Sequence, residues 1–236
     1  MKITLVCSCG LLMESGGQKL LVDAPNSPLA PFYAFPDQAL QKLISAQPPY
    51  DGALALAFTH AHEDHLCREK LRRVLDARPQ TKVLLPDHAL PDTGEVHLGD
   101  FCVEFHRFAH ITVPKNLMTD HFVLLVKRDG ETVYITADAT PDAERHRMVL
   151  AGRRCDAAFW NGLHLSYVET RTLMREAAEK NYVYHVPVDP ADTSGIRRKC
   201  ERNMQRFASE LAGVVVLDRY PAVLCQDARE GESTRS

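Results

Sequence analysis

Basic residues are not in excess in this chain. Lys and Arg number 28 against 31 Asp and Glu, for a formal net charge of −3, and the pI is near 6.4. That balance argues against a protein that grips long nucleic acid, which needs a broad cationic face. Two local clusters, Arg145-His146-Arg147 and Arg197-Arg198-Lys199 with Arg202, read as solvated helix faces, either able to receive a phosphate. No apolar run approaches the roughly 20 residues that a membrane span needs. A secretory leader is not expected either, because Met1-Lys2-Ile3-Thr4-Leu5-Val6 passes almost at once to Ser8, Gly10 and Glu14. The seven cysteines (Cys7, Cys9, Cys67, Cys102, Cys155, Cys200, Cys225) form an odd set without framework spacing. They read as reduced core thiols of a cytoplasmic protein, with Cys7-Ser8-Cys9 as packing residues of an early strand.

The chain does have a dense group of metal-binding residue types. Thr59-His60-Ala61-His62-Glu63-Asp64-His65 follows an apolar stretch and packs four imidazole and carboxylate ligands into six residues. In an extended segment alternate side chains share a face, so His60 and His62 can converge on one ion. Asp64 and His65, past a turn, can reach a second ion close by. Such nitrogen and oxygen ligands suit Zn²⁺ best, with Mn²⁺ or Fe as competitors. Glu63 is expected to point away.

Length and patterning suggest an α/β chain. The 236 residues, 45% of them hydrophobic, suit a single domain over 1–225, with a polar, disordered tail over 226–236. Strands are expected at 2–7, 18–23, 53–59, 82–86, 101–108, 121–127, 131–137, 156–160, 182–186 and 213–218. Helices are expected at 37–46, 66–77, 142–150, 167–180 and 196–211. For the fourth, Ser166-Tyr167-Val168-Glu169 fits a capping box and Lys180-Asn181 a stop. Ser15-Gly16-Gly17 and Arg128-Asp129-Gly130 read as hairpin turns between paired strands.

The pattern H-x-H-x-D-H after a buried strand resembles the metallo-β-lactamase superfamily, and the similarity continues along the chain. Leu20-Leu21-Val22-Asp23-Ala24 matches its early strand ending in an acidic residue. His110 in Phe108-Ala109-His110 matches a third histidine, although Ile111-Thr112-Val113-Pro114 replaces the Pro-Gly turn often seen after it. Asp138, ending Tyr134-Ile135-Thr136-Ala137-Asp138, matches the bridging aspartate. His185 in Tyr182-Val183-Tyr184-His185-Val186 matches the last histidine. His121 is the rival to His110, and His164 the rival to His185.

The resemblance implies a four-layer αββα sandwich and two divalent metal ions. His60, His62 and His110 would hold one ion and Asp64, His65 and His185 the other, with Asp138 between them and Asp23 behind, orienting a ligand. Two such cations about 3.5–4 Å apart lower the pKa of a shared water to about 7. Oxygen-reducing di-iron relatives place a carboxylate where His62 stands, so the chemistry expected here is hydrolysis. In phosphodiesterase branches, including tRNase Z-like enzymes, a histidine before a helix protonates the leaving oxygen, and His164 resembles it. The leading expectation is therefore a phosphodiesterase with Asp64, Asp138 and His164 as catalytic residues, acting on a small phosphodiester or nucleotide. The alternatives are a carboxyl ester, lactone or thioester hydrolase and a degenerate metal-binding module without activity. A homodimer is compatible with this reading, whereas a membrane or a long nucleic acid as partner is not expected.

Overall fold

The computed structural model describes residues 1–112, 120–188 and 192–225. The expected tail over 226–236 lies outside them. Thirteen strands occur among the described residues: β1 Lys2–Leu5, β2 Leu11–Ser15, β3 Gln18–Val22, β4 Ala53–Ala57, β5 Lys82–Leu84, β6 Thr93–Leu98, β7 Phe101–Phe108, β8 His121–Arg128, β9 Glu131–Ile135, β10 Cys155–Asn161, β11 Ala178–Tyr184, β12 Val214–Val216 and β13 Ala222–Cys225. Five helices join them: α1 Asp37–Ile44, α2 Arg68–Ala77, α3 Ala143–Leu150, α4 Val168–Ala177 and α5 Ile196–Arg206, with a short 3₁₀ turn at Gly162–Ser166.

The strands form two sheets. One has the order β13-β1-β2-β3-β4-β5 and the other β12-β11-β10-β9-β8-β7-β6. Alternation along each strand divides its apolar residues between two faces. In β8, Phe122, Leu124 and Val126 enter the core between the sheets, whereas Val123 and Leu125 face α3 and α4. In β3, Leu20 and Val22 face inward and Leu21 outward, toward α1 and α2. Strands covered on both sides read as nearly continuous apolar runs, as these do. The architecture is thus helix, sheet, sheet, helix, a four-layer α/β sandwich. No helix among the described residues is long and apolar enough to cross a membrane.

Both expected hairpins form, because Gly16 (φ 56°) and Gly17 (φ 76°), and Asp129 (φ 52°) and Gly130 (φ 83°), take the left-handed conformation a two-residue turn requires. Three strands were not legible as strands. β2 follows β1 after a tight loop, β6 carries only Val96 and Leu98 as large apolar residues, and β13 adds to the sheet edge through β1.

The expected helix 167–180 is shorter than its capping signals suggest. It starts after Tyr167 with no side-chain cap, and the Ser166 hydroxyl instead accepts from Asn203. It ends at Ala177, and β11 begins at the next residue, where Ala178 pairs with Cys155. Strand pairing claims Lys180 and Asn181, which read as a helix stop. The fifth helix likewise ends at Arg206, not at residue 211.

Candidate metal centre

The topology brings one end of both sheets together. β3, β4 and β5 run parallel in one sheet and β9, β10, β11 and β12 in the other. Asp23 follows β3, His60 follows β4, Asp138 follows β9, Asn161 ends β10 and His185 follows β11. His110 follows β7, which leads to the same edge because β8 runs antiparallel to both β7 and β9. Polar groups gather where parallel strands open into loops, outside their carboxyl ends.

Asp138 stands at the middle of the cluster. Its Oδ2 lies 3.5 Å from His110 Nε2, 3.6 Å from His65 Nε2 and 4.0 Å from His60 Nε2. Its Oδ1 lies 3.7 Å from His185 Nε2 and accepts a 2.7 Å hydrogen bond from Asn161 Nδ2. His185 Nε2 also lies 3.3 Å from Asp64 Oδ2. The ligand atoms of His60, His62 and His110 lie within 4.8 Å of one another, as do those of His60, His65 and Asp138. His62 is exposed at the mouth, whereas His60, Asp64, His65, His110, Asp138 and His185 are buried. The Glu63 side chain is exposed.

Hydrogen bonds behind the cluster set the imidazole orientations. His65 Nδ1 is 3.0 Å from Asp23 Oδ2, and that carboxylate also accepts from the Thr59 amide and hydroxyl, each at 2.8 Å. His60 Nδ1 is 3.1 Å from the Thr59 hydroxyl and His110 Nδ1 is 2.8 Å from the Thr112 hydroxyl. His60 and His65 can donate through their δ nitrogens to these oxygens, which leaves their ε nitrogens bare and turned inward, whereas His110 Nδ1 accepts the Thr112 amide N–H at 3.1 Å and is held in place by it.

Those ε nitrogens test whether the site suits a metal. His60 Nε2, His65 Nε2 and His110 Nε2 are buried without a hydrogen-bond partner, as is Nδ1 of His185. Burying bare polar nitrogens costs free energy, and three of them around one carboxylate are accounted for by a cation between them. Burial favours the neutral form of Asp138, but His185, His110 and His65 outweigh it and hold its carboxyl well below the usual range. Burial, and then His65, push His60 far below the ordinary histidine value. A deprotonated Asp138 and a neutral His60 are the states a metal ligand set requires; at His65 burial is outweighed by Asp23 and Asp138, which hold the imidazole well above the ordinary value, so a cation binding there would displace its proton. The residues fit divalent cations.

Asn161 was not singled out by sequence, and Cys9 was read with Cys7 as a packing residue of an early strand. Cys9 has its ligand atom within 4.8 Å of those of His65 and His185, and its thiol donates to the Asp64 carbonyl at 2.9 Å. Only their positions at the edge where the ligands meet, Cys9 in the loop between β1 and β2 and Asn161 at the end of β10, distinguish them.

Two residues weighed as ligands lie elsewhere. His121 is fully enclosed, and its Nε2 accepts the Asp138 amide N–H at 3.0 Å, so it faces the backbone of the carboxylate rather than the centre. His164 is 0% exposed and its Nε2 is 3.1 Å from the Ala139 carbonyl, to which it donates. Burial pushes its imidazole down to about 4. A ring that is neutral at pH 7, commits its N–H to the backbone and does not line the pocket cannot pass a proton to a leaving group there. The general-acid role expected of His164 does not follow from its position.

A cavity of about 360 Å³ opens over the cluster. Its floor includes His62, Asp64, His110, Asp138 and His185, and its described walls are largely apolar, from Leu29, Phe32, Ile111, Leu163 and Ile196. Phe32 stacks on His185 with ring centroids 3.9 Å apart. Lys199 is the one lining cation among the described residues. Gly162 lets α5 close this wall, since a Cβ there would meet Cys200 Sγ at 2.4 Å.

No protein-family model matches the sequence, and no curated protein matches it. Solved structures do match. The metallo-β-lactamase fold protein YhfI from Bacillus subtilis superposes with a TM-score of 0.61 and 15% identity, over 95% of this chain and 100% of that one. The fold is that of the metallo-β-lactamase superfamily. Within the fold, a possible metal-dependent hydrolase from Veillonella parvula matches at a TM-score of 0.63 and 13% identity, over 96% of this chain and 99% of its own. CmlA, a diiron β-hydroxylase from Streptomyces venezuelae, matches at 0.61 and 14% identity over 95% of this chain, which spans 54% of CmlA. The likeness is one of fold, which is shared by a protein described as a possible hydrolase and by one described as a hydroxylase.

Proposed function

We propose that this protein is a two-cation hydrolase of small carbonyl compounds, an ester, thioester or lactone with an apolar body. The observation that carries the reading is the pairing of the bare inward-facing nitrogens around Asp138 with an apolar cavity directly above them. His60, His62 and His110 would hold one ion, Asp64, His65 and His185 the other, and Asp138 both. Zn²⁺ suits this nitrogen-rich set best. Such ions, when bound, acidify water and polarise the oxygen of the group under attack.

The chain's own residues supply the rest. Asp23 keeps His65 oriented through its δ nitrogen, and Asn161 steers Asp138 through its Oδ1. Leu29, Phe32, Ile111, Leu163 and Ile196 exclude water and hold an apolar substituent, and Lys199 can pair with an anionic group on it. A nucleotide would meet little polar surface on these walls. The phosphodiester reading also loses the proton donor that favoured it, since His164 faces the Ala139 carbonyl. His62, at the position where di-iron oxygenase relatives carry a carboxylate, supports hydrolysis over oxidation.

The test is a substrate series with Zn²⁺- or Mn²⁺-loaded protein, comparing p-nitrophenyl esters of increasing acyl length, a thioester and bis-p-nitrophenyl phosphate. Metal-dependent kcat/KM should rise over the first few methylenes by up to about fourfold each, the free energy of burying a CH₂ being about 0.8 kcal/mol. Faster turnover of the phosphodiester than of every carbonyl substrate would overturn the carbonyl reading.

A further inference from the structure

Eleven histidines occur in the chain. Five form the candidate ligand set, and His88, His97 and His106 lie apart from it beside Asp87, Glu95 and Glu104. The remaining three, His121, His146 and His164, are all buried, with exposures of 0–1%. Each is directed at the same four-residue turn. The Asp138 N–H donates to His121 Nε2 at 3.0 Å. His164 Nε2 donates to the Ala139 carbonyl at 3.1 Å. His146 Nε2 donates to the Thr140 carbonyl at 3.0 Å, while its Nδ1 accepts from the Tyr134 hydroxyl at 2.6 Å. A neutral imidazole has one donor and one acceptor, so the Tyr134 hydroxyl fixes which nitrogen of His146 faces the turn.

The turn needs holding. Ala137 sits at φ 44°, a left-handed conformation that costs a non-glycine residue on the order of 1 kcal/mol. Buried peptide groups without partners would add to that cost. Backbone bonds supply part of the restraint, from the Ile111 amide to the Asp138 carbonyl at 2.8 Å and from the Thr140 amide to the Ala109 carbonyl at 2.9 Å. The three imidazoles complete it. Their rings also pack together, His146 on Phe108 at 4.5 Å and His164 on His146 at 5.1 Å and Trp160 at 5.5 Å.

We infer that His121, His146 and His164 are positioning residues that clamp the 137–140 turn, so that the Asp138 carboxylate faces both halves of the ligand cluster. They act on the cations through the backbone of one ligand. The inference rests on the proposed two-cation site.

The test measures ion stoichiometry and Zn²⁺ affinity, by competition with a chromophoric chelator, beside the thermal midpoint of the metal-free protein. His121→Leu and His164→Leu should weaken binding of at least one ion about 10–100-fold, the usual effect of removing a group that orients a ligand. His121→Gln and His164→Gln, which restore an acceptor or a donor near the ε position, should recover most of that affinity. Tyr134→Phe frees His146 to turn and should cost a few-fold. Leucine variants that bind both ions as tightly as wild type would overturn the clamp, as would equal losses in the leucine and glutamine variants that simply track the thermal midpoint. If the leucine variants do not fold, Tyr134→Phe and the glutamine variants decide, and unchanged affinity in Tyr134→Phe counts against the clamp. Wild-type protein that binds no ion would instead defeat the two-cation reading, and the clamp with it.

Discussion

Two groups of buried histidines stand side by side in this protein, and the same side chain serves opposite purposes in them. In the ligand cluster, His60, His65 and His110 direct their δ nitrogens at Thr59, Asp23 and Thr112 and leave the ε nitrogens bare around Asp138. In the group behind it, His121, His146 and His164 commit their ε nitrogens to the backbone of residues 138–140. What separates them is which nitrogen the protein satisfies. His121 and His164 leave their δ nitrogens bare as well, but the bare nitrogens of the first group converge on one carboxylate, where an ion can offset their cost, whereas the satisfied ε nitrogens of the second contribute to the rigidity of the turn. The first group should therefore hold the metal directly, and the second should act on it through the 137–140 turn as well as on the stability of the metal-free chain.

The largest expected effect breaks the cluster at its centre. Asp138→Ala removes the carboxylate that faces His60, His65, His110 and His185 and that would neutralise two neighbouring cations. Turnover should fall by about 10³-fold or more, with loss of at least one ion, while the metal-free protein stays folded. Wild-type kcat/KM in that variant would show that the comparison places the centre wrongly.

A smaller effect is expected one bond away. Asp23→Ala deprives His65 of the carboxylate at its δ nitrogen, and metal affinity should drop about 10–100-fold. Thr112→Val, which removes only a hydroxyl beside His110 on an exposed loop residue, should cost a few-fold, because water can replace it. Titrating both variants with Zn²⁺ checks the ranking, and equal losses would blur the distinction between carboxylate and hydroxyl support.

The group behind the cluster should reveal itself through pH. Burial holds His164 at about 4, against about 6.5 for an unfolded histidine. The unfolded chain therefore binds the extra proton first as pH falls, and stability is lost between about pH 6.5 and pH 4. Between pH 7 and pH 5 this one residue should cost the metal-free protein about 2 kcal/mol. Urea unfolding of wild type and His164→Gln at both pH values would isolate that contribution. An identical pH dependence in the two proteins would mean that His164 takes its proton without penalty.

Much of the cluster was legible because it depends on local spacing and strand ends. His60, His62, Asp64 and His65 lie within one short loop, and Asp23, His110, Asp138 and His185 each follow a run of strand-forming residues. Ring direction was not legible. His110 and His121 both flank strands at the same edge, and only the antiparallel pairing of β7 with β8 turns one toward the centre and the other toward the Asp138 amide. His164 precedes a helix, as a pocket acid would, but the 3₁₀ turn points its ring into the core. Asn161 and Cys9 meet the cluster only through tertiary packing. β2, inside its sheet, and β13, at the edge of the same one, are short apolar runs, and β6, at the edge of the other, carries few apolar residues, so pairing gives all three their identity.

The central claim is that the bare nitrogens around Asp138 are made for two cations. Elemental analysis of protein purified without chelator, and again after reconstitution with Zn²⁺ or Mn²⁺, tests it most directly. Close to two ions per chain in the wild type, and fewer in Asp138→Ala, is the result expected. No more than a trace of transition metal after reconstitution would contradict it.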